Sequence, residues 1–260
     1  MKEILIPAII LASLGLIFGI MLGIFAKIFM VKKDERTEKI EELLPGANCG
    51  GCGYAGCGGY AKAIVENGAS VSLCSAGGTD TARKIGEIMG VTVEESEPMV
   101  ARVFCKGATD KANIKLKYKG TEDCFYTKRM AGGPKECQYG CIGLGSCVSV
   151  CKFDAIHIID GVAVVDEDKC TACGACVKKC VQGIIRIVPK SKSHAVLCSN
   201  HDKGAVAKNL CKVSCLGCKI CEKNCPSEAV KVENNLAVID YEKCTNCGIC
   251  SEKCPKKIIV

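Results

Sequence analysis

The sequence predicts an α+β protein made of small units in series rather than one large domain. Three observations lead to this fold class: an apolar run opens the chain of 260 residues, its 24 cysteines are clustered, and part of the second half is repeated. Aromatic residues make up only 5% of the chain, which offers little for a large apolar core. Small units usually need disulfides or metals for stability. We predict a transmembrane helix over 1–31, a helical unit over 32–100, and two related modules, the first over 101–190 and the second over 191–260.

The first unit is an apolar segment, ILIPAIILASLGLIFGIMLGIFAKIFMV, from Ile4 to Val31. Roughly 20 apolar residues span a bilayer, so this segment is long enough to cross with some tilt. A cleaved signal peptide would have a shorter apolar run and a small-residue cleavage site, whereas this run ends in FMVKKDER. Lys2 alone precedes the span, and four basic residues follow it: Lys32, Lys33, Arg36 and Lys39. The positive-inside rule therefore predicts a single-pass protein of the cell (inner) membrane with its remaining domains in the cytoplasm. Metal ligation rather than disulfide formation is the expected use of cysteines in that reducing compartment.

The second half of the chain contains a duplication. CKFDAIHIIDGVAVVDEDKCTACGACVKKC, from Cys151 to Cys180, matches CPSEAVKVENNLAVIDYEKCTNCGICSEKC, from Cys225 to Cys254, at an offset of 74 residues. Each copy predicts a β-hairpin between two groups of cysteines. The same offset pairs Cys124, Cys137, Cys141, Cys147 and Cys151 with Cys198, Cys211, Cys215, Cys221 and Cys225. Cys218 is the exception, because the first copy has Leu144 at the corresponding position.

The second copy carries two cysteine runs with the spacing of bacterial two-cluster ferredoxins. They are Cys215-x2-Cys218-x2-Cys221-x3-Cys225-Pro226 and Cys244-x2-Cys247-x2-Cys250-x3-Cys254-Pro255. In such runs the first three cysteines bind one cluster and the fourth binds the other. The region resembles the 2[4Fe-4S] ferredoxin fold, which implies two ligand sets: Cys215, Cys218, Cys221 with Cys254, and Cys244, Cys247, Cys250 with Cys225. Zinc is disfavoured, because zinc sites use separated cysteine pairs rather than such triplets.

The first copy has one complete ligand set and one defective set. The complete set is Cys151, Cys170, Cys173 and Cys176. The other contains Cys141, Cys147 and Cys180 but lacks a middle cysteine. We expect Cys137 as its fourth ligand, with Cys105 or a site of three cysteines as the alternatives. Four cysteines lie outside these sets, and they hold a sixth cluster between the repeats, remain buried thiols or form local disulfides. They are Cys105, Cys124, Cys198 and Cys211, with Cys137 in place of Cys105 if Cys105 completes the defective set.

The helical unit contains NCGGCGYAGCGGY, from Asn48 to Tyr60, which has two interpretations. Gly51-x-Gly53-x-x-Gly56 has the letters of a dinucleotide-binding fingerprint, but that motif needs a preceding strand. The preceding RTEKIEELLPGAN has helical periodicity instead, so an NAD site is not expected. The second interpretation is a metal site, for which four thiolates are present in Cys49-x2-Cys52-x4-Cys57-x16-Cys74. Short helices are predicted to end at Gly68 and Gly90.

This helical unit resembles the small four-iron domain of corrinoid iron–sulfur proteins and of Rnf complex B subunits. The order of membrane anchor, four-iron domain and ferredoxin modules resembles the Rnf B-subunit family over nearly the whole chain. The resemblance implies an electron-input subunit of an ion-translocating ferredoxin:NAD oxidoreductase, with soluble ferredoxin as donor. Electrons are then expected to reach membrane subunits of a complex that reduces NAD and moves Na⁺ or H⁺. The resemblance and the cysteine count together imply five [4Fe-4S] clusters, or six.

The formal net charge of +7 treats every thiol as neutral. The lysine surplus either compensates thiolate-bound clusters or forms a docking face for an acidic partner; the candidate contacts are Lys178, Lys179, Lys256 and Lys257. Nucleic acid is not expected as a partner, because the lysines are dispersed and no recognition motif is present. No acid–base or nucleophilic catalysis is indicated, since the three histidines are isolated. The alternatives are a membrane-anchored polyferredoxin serving a hydrogenase or formate dehydrogenase, a structural cysteine-rich metal-binding protein, and a methyl-transfer component.

Overall fold

A computed structural model describes residues 2–28, 34–94 and 97–260. Helix α1 spans Lys2–Ile28. Its segment Leu11–Ile28 has a mean hydropathy of 2.1, and 0% of it is buried against the rest of the chain. By length and composition this helix is able to cross a bilayer. The end of the predicted span and the following Lys32 and Lys33, on which the predicted orientation partly rests, lie outside the described residues.

The helical unit consists of α2 (Glu35–Leu43), α3 (Cys57–Asn67) and α4 (Gly78–Met89). Helix α2 begins after Asp34, whose side chain accepts a hydrogen bond from the Arg36 backbone N–H and so satisfies a free donor. Helices α3 and α4 end at Gly68 and Gly90 in the left-handed conformation, as predicted. Their inner faces pack together around four fully buried side chains: Ile40, Tyr60, Ile64 and Ile85.

The two modules contain the remaining elements. The first has β1 (Met99–Val103), α5 (Cys124–Ala131), β2 (Ile156–Ile159), β3 (Val162–Val165), α6 (Ala175–Lys179) and β4 (Ile185–Pro189). The second has α7 (Gly204–Leu210), α8 (Ile220–Lys223), β5 (Val230–Glu233), β6 (Leu236–Ile239) and α9 (Ile249–Glu252). Strand β1 spans the predicted boundary between residues 100 and 101 and pairs with β4 of the first module.

Both predicted hairpins are confirmed. Strand β2 pairs with β3, and β5 pairs with β6, each antiparallel over four residues. The turns between them are Asp160-Gly161 and Asn234-Asn235, and all four residues have positive φ. Two successive residues of positive φ make the tight turn that matches the twist of a hairpin, which explains the choice of glycine, aspartate and asparagine there.

Each module is closed by its own antiparallel pairing between an early and a late segment. Val103 of β1 pairs with Ile185 of β4, and Val196 pairs with Ile259 in the second module. Ile185 and Ile259 are related by the offset of 74, so Val103 corresponds in space to Val196. Cys105 is therefore the structural counterpart of Cys198, and the sequence offset that paired Cys124 with Cys198 is coincidental.

The counterpart segments differ in length. Cys137 follows Cys105 by 32 positions, whereas Cys211 follows Cys198 by only 13. We call residues 106–136 the long connection; it contains α5 and begins and ends beside the second module. Its Asn113 N–H donates to the Leu210 carbonyl at 3.0 Å, and the Lys212 N–H donates to the Lys111 carbonyl at 2.8 Å.

The first module contacts both of its neighbours. Val100, Phe104, Val188 and Ala195 form a small core shared with the start of the second module. On the other side, Gly51 of the helical unit lies against the loop of Cys173. A Cβ built on Gly51 would lie 2.8 Å from the Cys173 carbonyl oxygen, so only glycine allows this close approach.

Candidate iron–sulfur centres

Four cysteines of the helical unit lie together at the start of α3 and in the loop after it. Cys57 begins α3, and its backbone N–H donates to the Asn48 side chain at 2.8 Å, which holds the Cys49 loop against the helix. Burial raises the pKa of the Cys74 thiol, and negative charge on Cys52, Cys57 and Cys49 raises it further. The predicted set of Cys49, Cys52, Cys57 and Cys74 is thus brought to one place.

Tyr60 fixes the loop that carries Cys74. Its hydroxyl donates to the Ser70 carbonyl at 2.6 Å and accepts from the Leu73 N–H at 3.1 Å. Burial raises the pKa of Tyr60 to about 12, so the hydroxyl keeps its proton and its donor role. Tyr54 stacks on the Tyr60 ring with 5.4 Å between centroids, and together the rings cover one side of the group.

In the first module, Cys151, Cys170, Cys173 and Cys176 line a cleft of about 350 Å³. The pKa of Cys176 is raised to about 11, chiefly by burial and then by the thiols of the other three cysteines. Backbone donors face the sulfurs: the Ala101 N–H lies 3.4 Å from Cys170 Sγ, and the Ala155 N–H lies 3.4 Å from Cys151 Sγ. Strand β1 therefore supplies a donor to this group from outside the cysteine run.

In the first module a fourth cysteine, Cys124, lies with the three cysteines of the defective set. A cleft of about 380 Å³ is lined by Cys124, Cys141, Cys147 and Cys180. Burial raises the pKa of Cys147 to about 12, and charge on Cys141, Cys124 and Cys180 contributes in the same direction. Cys124 is the first residue of α5, and its N–H donates to Ser146 Oγ at 2.7 Å, which holds it against the run.

The sequence led us to expect Cys137, or else Cys105, as the fourth member of the set. In this structure the long connection instead brings Cys124 to the cleft of Cys141, Cys147 and Cys180, whereas Cys137 and Cys105 lie on another cleft. The signal in the sequence was the unequal spacing on either side of the repeat: VFC at 103–105 and VLC at 196–198 are the counterparts, and Cys124 lies in additional sequence.

The second module has both predicted groups. Cys215, Cys218, Cys221 and Cys254 line a cleft of about 370 Å³. Burial raises the pKa of Cys221 to about 11, and the thiols of Cys215, Cys218 and Cys254 raise it further. In the other group, burial and then the thiols of Cys244, Cys225 and Cys247 raise the pKa of Cys250.

A sixth group lies between the modules, and we call it the bridging group. It lines a cleft of about 360 Å³ and consists of Cys105, Cys137, Cys198 and Cys211. The pKa of Cys137 is raised by burial and by charge on Cys105 and Cys211. The Cys198 thiol is also buried, and its pKa is raised to about 12. The sequence allows a sixth group between the repeats without fixing its members, because the offset of 74 pairs Cys124 with Cys198 and leaves Cys105 without a counterpart.

A buried cation stands beside the bridging group. Lys135 is 3% exposed, and its Nζ donates to the carbonyl oxygens of Gly107 and Gly161, each at 2.7 Å. Within the described residues it forms no ion pair with a carboxylate. Its charge lowers the pKa of Cys211 and Cys141, although burial dominates both thiols. Burying a charged lysine costs folding free energy unless a negative charge lies nearby. Thiolates on both sides of Lys135 would provide this negative charge.

The donor sets fit [4Fe-4S] clusters. Four of the groups offer four sulfurs that line one cleft each, and in the other two groups charge on the neighbouring cysteines contributes to the raised pKa of Cys74 and of Cys250, after burial. In the described part of the chain, no three metal-binding side chains converge closely enough for a single ion. Tetrahedral zinc needs its sulfurs at about 2.3 Å from one ion, whereas cubane clusters take four cysteines spaced more widely.

Three family models match the chain in the regions of these groups. A model described as "Putative Fe-S cluster" matches residues 44–75, "4Fe-4S binding domain" matches 163–186, and "4Fe-4S dicluster domain" matches 214–259. The bridging group lies outside all three matched ranges. The matched domains and the cysteine groups define the chain as an iron–sulfur electron-transfer protein of the ferredoxin type.

Curated relatives narrow this class to one family. The B subunit of the Na⁺-translocating ferredoxin:NAD⁺ oxidoreductase complex of Acetobacterium woodii is 44% identical over 94% of this chain and 73% of its own length. The B subunit of an ion-translocating oxidoreductase complex of Methanosarcina acetivorans is 44% identical over 94% and 93%. A proton-translocating counterpart of Clostridium ljungdahlii is 38% identical over 92% and 85%. The chain belongs to the family of B subunits of Rnf-type ion-translocating oxidoreductase complexes.

Proposed function

We propose that this chain takes low-potential electrons from a soluble ferredoxin and delivers them, through six [4Fe-4S] clusters, to the membrane subunits of an ion-translocating ferredoxin:NAD oxidoreductase. The relatives named above support the donor and the complex. The main observation that supports this route is the bridging group. It lies between the two modules, and without it their thiols would form separate groups.

The proposed ligand sets use every cysteine of the chain. They are Cys49, Cys52, Cys57 and Cys74; Cys151, Cys170, Cys173 and Cys176; Cys124, Cys141, Cys147 and Cys180; Cys105, Cys137, Cys198 and Cys211; Cys215, Cys218, Cys221 and Cys254; and Cys225, Cys244, Cys247 and Cys250. When bound, such clusters accept and release single electrons at potentials set by hydrogen bonds, charge and exposure.

Two backbone hydrogen bonds connect the bridging group to its neighbours on either side. The Cys141 N–H donates to Cys105 Sγ at 3.3 Å, and the Cys215 N–H donates to Cys198 Sγ at 3.3 Å. Cys141 and Cys215 are the first cysteines of their runs, so the contacts are equivalent in the two modules. With a cluster held by the bridging group, these bonds would connect the thiols of the second module to those of the first.

The other end of the series lies at the helical unit. Gly51 touches the Cys173 loop, and charge on Cys49 contributes to the raised pKa of Cys173 after burial does. This contact places the thiols of the helical unit next to a set of the first module. We therefore propose that electrons pass from the second module through the first to the helical unit, which follows α1 directly and is held at the cytoplasmic membrane surface.

Iron and acid-labile sulfide, measured per chain on anaerobically purified protein, test the proposal. Six clusters require about 24 of each, at four per cluster. Serine variants of Cys105 and Cys198 should each lose about four irons, because each removes a ligand of the bridging group. A wild-type content of about 20 iron, unchanged in both variants, would contradict the sixth cluster. Zinc in place of iron would contradict the function as a whole.

A further inference from the structure

The exposure of the thiols differs sharply between the two modules. Cys218 and Cys247 are exposed, whereas the other 22 cysteines, which also lie in the described residues, are half-buried or buried. Both exposed thiols belong to the second module. Their counterparts in the first module are Leu144, beside which Cys124 lies, and Cys173, which lies under Gly51. The second module therefore has the thiols most accessible to an external partner.

The surface around Cys218 is basic. Lys219 and Lys256 line the same cleft as Cys218, and the Lys256 Nζ donates to the Lys212 carbonyl at 3.1 Å. Two further lysines are held close to this cleft, since the Lys223 N–H donates to the Lys219 carbonyl at 3.0 Å and the Lys257 N–H donates to the Cys254 carbonyl at 3.1 Å. We call the five lysines the basic face: Lys212, Lys219, Lys223, Lys256 and Lys257. In the described part of the chain, none of the five forms an ion pair with a carboxylate. Lys212 also lies near Asp110, because its Nζ donates to the Asp110 carbonyl at 3.3 Å. The charges of the other four lysines are available to a partner.

The first module shows that the fold does not require these lysines. At the offset of 74 residues, its counterparts of the five are all neutral: Gln138, Gly145, Ser149, Gln182 and Gly183. The second module also has two glutamates, Glu222 and Glu252, where the first has Val148 and Lys178. Their negative charge offsets part of the positive charge that the five lysines add. The remaining excess of positive charge belongs to the surface of the exposed thiol and not to the ferredoxin fold in general.

Next to Cys218 the surface is also apolar. Ile220 is 38% exposed, and the adjacent Leu216 is half-buried. A small apolar centre with a charged rim is the usual composition of a transient protein interface. A positive rim steers a negatively charged partner and raises its association rate at low salt.

We propose that the basic face is the docking site of the electron donor, an acidic single-domain redox protein, and that electrons enter this chain at the Cys215, Cys218, Cys221 and Cys254 group. The proposal rests on the function proposed above and specifies where the donor binds. It separates Lys256 and Lys257 from Lys178 and Lys179, which the sequence analysis grouped with them. Lys179 lies 3.9 Å from Asp123, so part of its charge is already compensated within the first module.

The test uses the full-length, cluster-loaded chain in detergent and an acidic 2[4Fe-4S] ferredoxin as the probe. The variant Lys212→Gln/Lys223→Ser/Lys256→Gln gives the second module the residues that the first module already accommodates. The control Lys178→Glu gives the first module the residue that the second module has at Glu252. Binding is measured by surface plasmon resonance over a series of salt concentrations, and iron content is measured for each protein.

The triple variant should bind ferredoxin at least tenfold more weakly at low salt, with a flatter salt dependence and unchanged iron content. The control should bind like the wild type. Equal affinity of the triple variant and the wild type would overturn the docking site, even if ferredoxin still reduced the chain. Failure of ferredoxin to reduce the wild-type chain would instead contradict the proposed function.

Discussion

The first and second modules share a hairpin, a cysteine spacing and a closing strand pair, yet they differ in what surrounds their thiols. In the first module the long connection brings Cys124 beside the gap at Leu144, and the helical unit covers Cys173. The corresponding positions of the second module, Cys218 and Cys247, face solvent. One duplicated fold has thus become an inner module with contacts on several sides and an outer module open to a partner.

The difference would give the proposed series of clusters a direction without any change in the metal-binding fold. Ligand spacing is constrained by the cluster, because cysteines at two-residue intervals must wrap one cubane. The surroundings of the ligands are free to vary. Under the function proposed above, charge, coverage and the position of Cys124 would decide which module meets a soluble partner and which passes electrons onward within the chain.

The largest expected effect concerns the relocated ligand. Cys124→Ser should remove about four irons per chain, because the cavity that it shares with Cys141, Cys147 and Cys180 loses one of its four sulfurs. Adding Leu144→Cys to the same variant should restore the iron, since it recreates the spacing of the second module. Iron and sulfide analysis checks both steps.

Cys137→Ser is the matched control for this rescue. It should also lose about four irons, but Leu144→Cys should not restore them, because Cys137 belongs to the bridging group. Full iron content in Cys124→Ser would contradict the arrangement and would favour Cys137 or Cys105 as the fourth ligand.

The next effect concerns a buried charge that the first module has and the second lacks. Lys135 corresponds to Asn209 at the offset of 74 residues. Lys135→Met should lower the reduction potential of the nearest clusters, because a buried positive charge stabilises the added electron. The change in reduction free energy should be on the order of 1–3 kcal/mol. Redox titration followed by electron paramagnetic resonance measures the reduction potentials, and the variant Lys152→Met, at an exposed lysine, is the control. Equal reduction potentials in the two variants would show that Lys135 has only a structural role.

A smaller effect is expected where the helical unit covers Cys173. Gly51→Ala should leave the iron content unchanged but slow electron transfer from the first module to the helical unit by on the order of tenfold, because the added methyl group displaces the two loops. Gly59→Ala is the matched control, since a Cβ at Gly59 meets no atom within 4 Å.

Freeze-quench spectroscopy after mixing with a reductant follows the reduction of the separate clusters. The magnetic interaction between the two reduced centres should also weaken in Gly51→Ala. Identical rates and spectra in the two glycine variants would show that this contact does not serve transfer.

The smallest effect concerns an ion pair that closes the first module alone. Arg102 Nε lies 2.8 Å from Glu167, and the arginine side chain is only 10% exposed. The second module has Ala195 and Tyr241 at the counterpart positions. Arg102→Met should destabilise the first module by about 1–2 kcal/mol, because Glu167 loses its partner.

Thermal bleaching of the cluster absorbance measures this loss. The matched control is Lys243→Met, which removes an exposed pair with Asp240 at 3.7 Å and should change the midpoint little. Equal midpoints in the two variants would mean that the Arg102 pair contributes no more than a surface pair.

Local features of this fold were predictable from the sequence, because short-range chemistry determines them. The hairpin turns follow from Asp160-Gly161 and Asn234-Asn235, and the helix ends follow from Gly68 and Gly90. The turns and helix ends depend on residues close together in the chain. The cysteine groups of the second module follow from their spacing together with the crossed ligation that the resemblance to two-cluster ferredoxins implies.

The members of the bridging group could not be identified in this way. They are set by strand pairing between residues far apart, such as Val103 with Ile185. Cys124 and Cys198 are separated by the repeat offset of 74 residues by coincidence. The strand pairing shows that Cys105 is the structural counterpart of Cys198. The contact between Gly51 and Cys173 could not be predicted from the sequence either, because it depends on how the helical unit packs against the first module.

The bridging group also brings together thiols that are synthesised at different times. The helical unit has all of its thiols between Cys49 and Cys74, so it is complete while most of the chain is still on the ribosome. Cys105 and Cys137 must wait, as reduced thiols, until Cys198 and Cys211 have been synthesised. In the order of synthesis, the set of the helical unit is complete at Cys74, the bridging group at Cys211, and the two sets of the second module only at Cys250 and Cys254. A protein truncated after the first module would leave two unmatched thiols exposed to oxygen, which makes the full-length chain a condition for safe metal delivery.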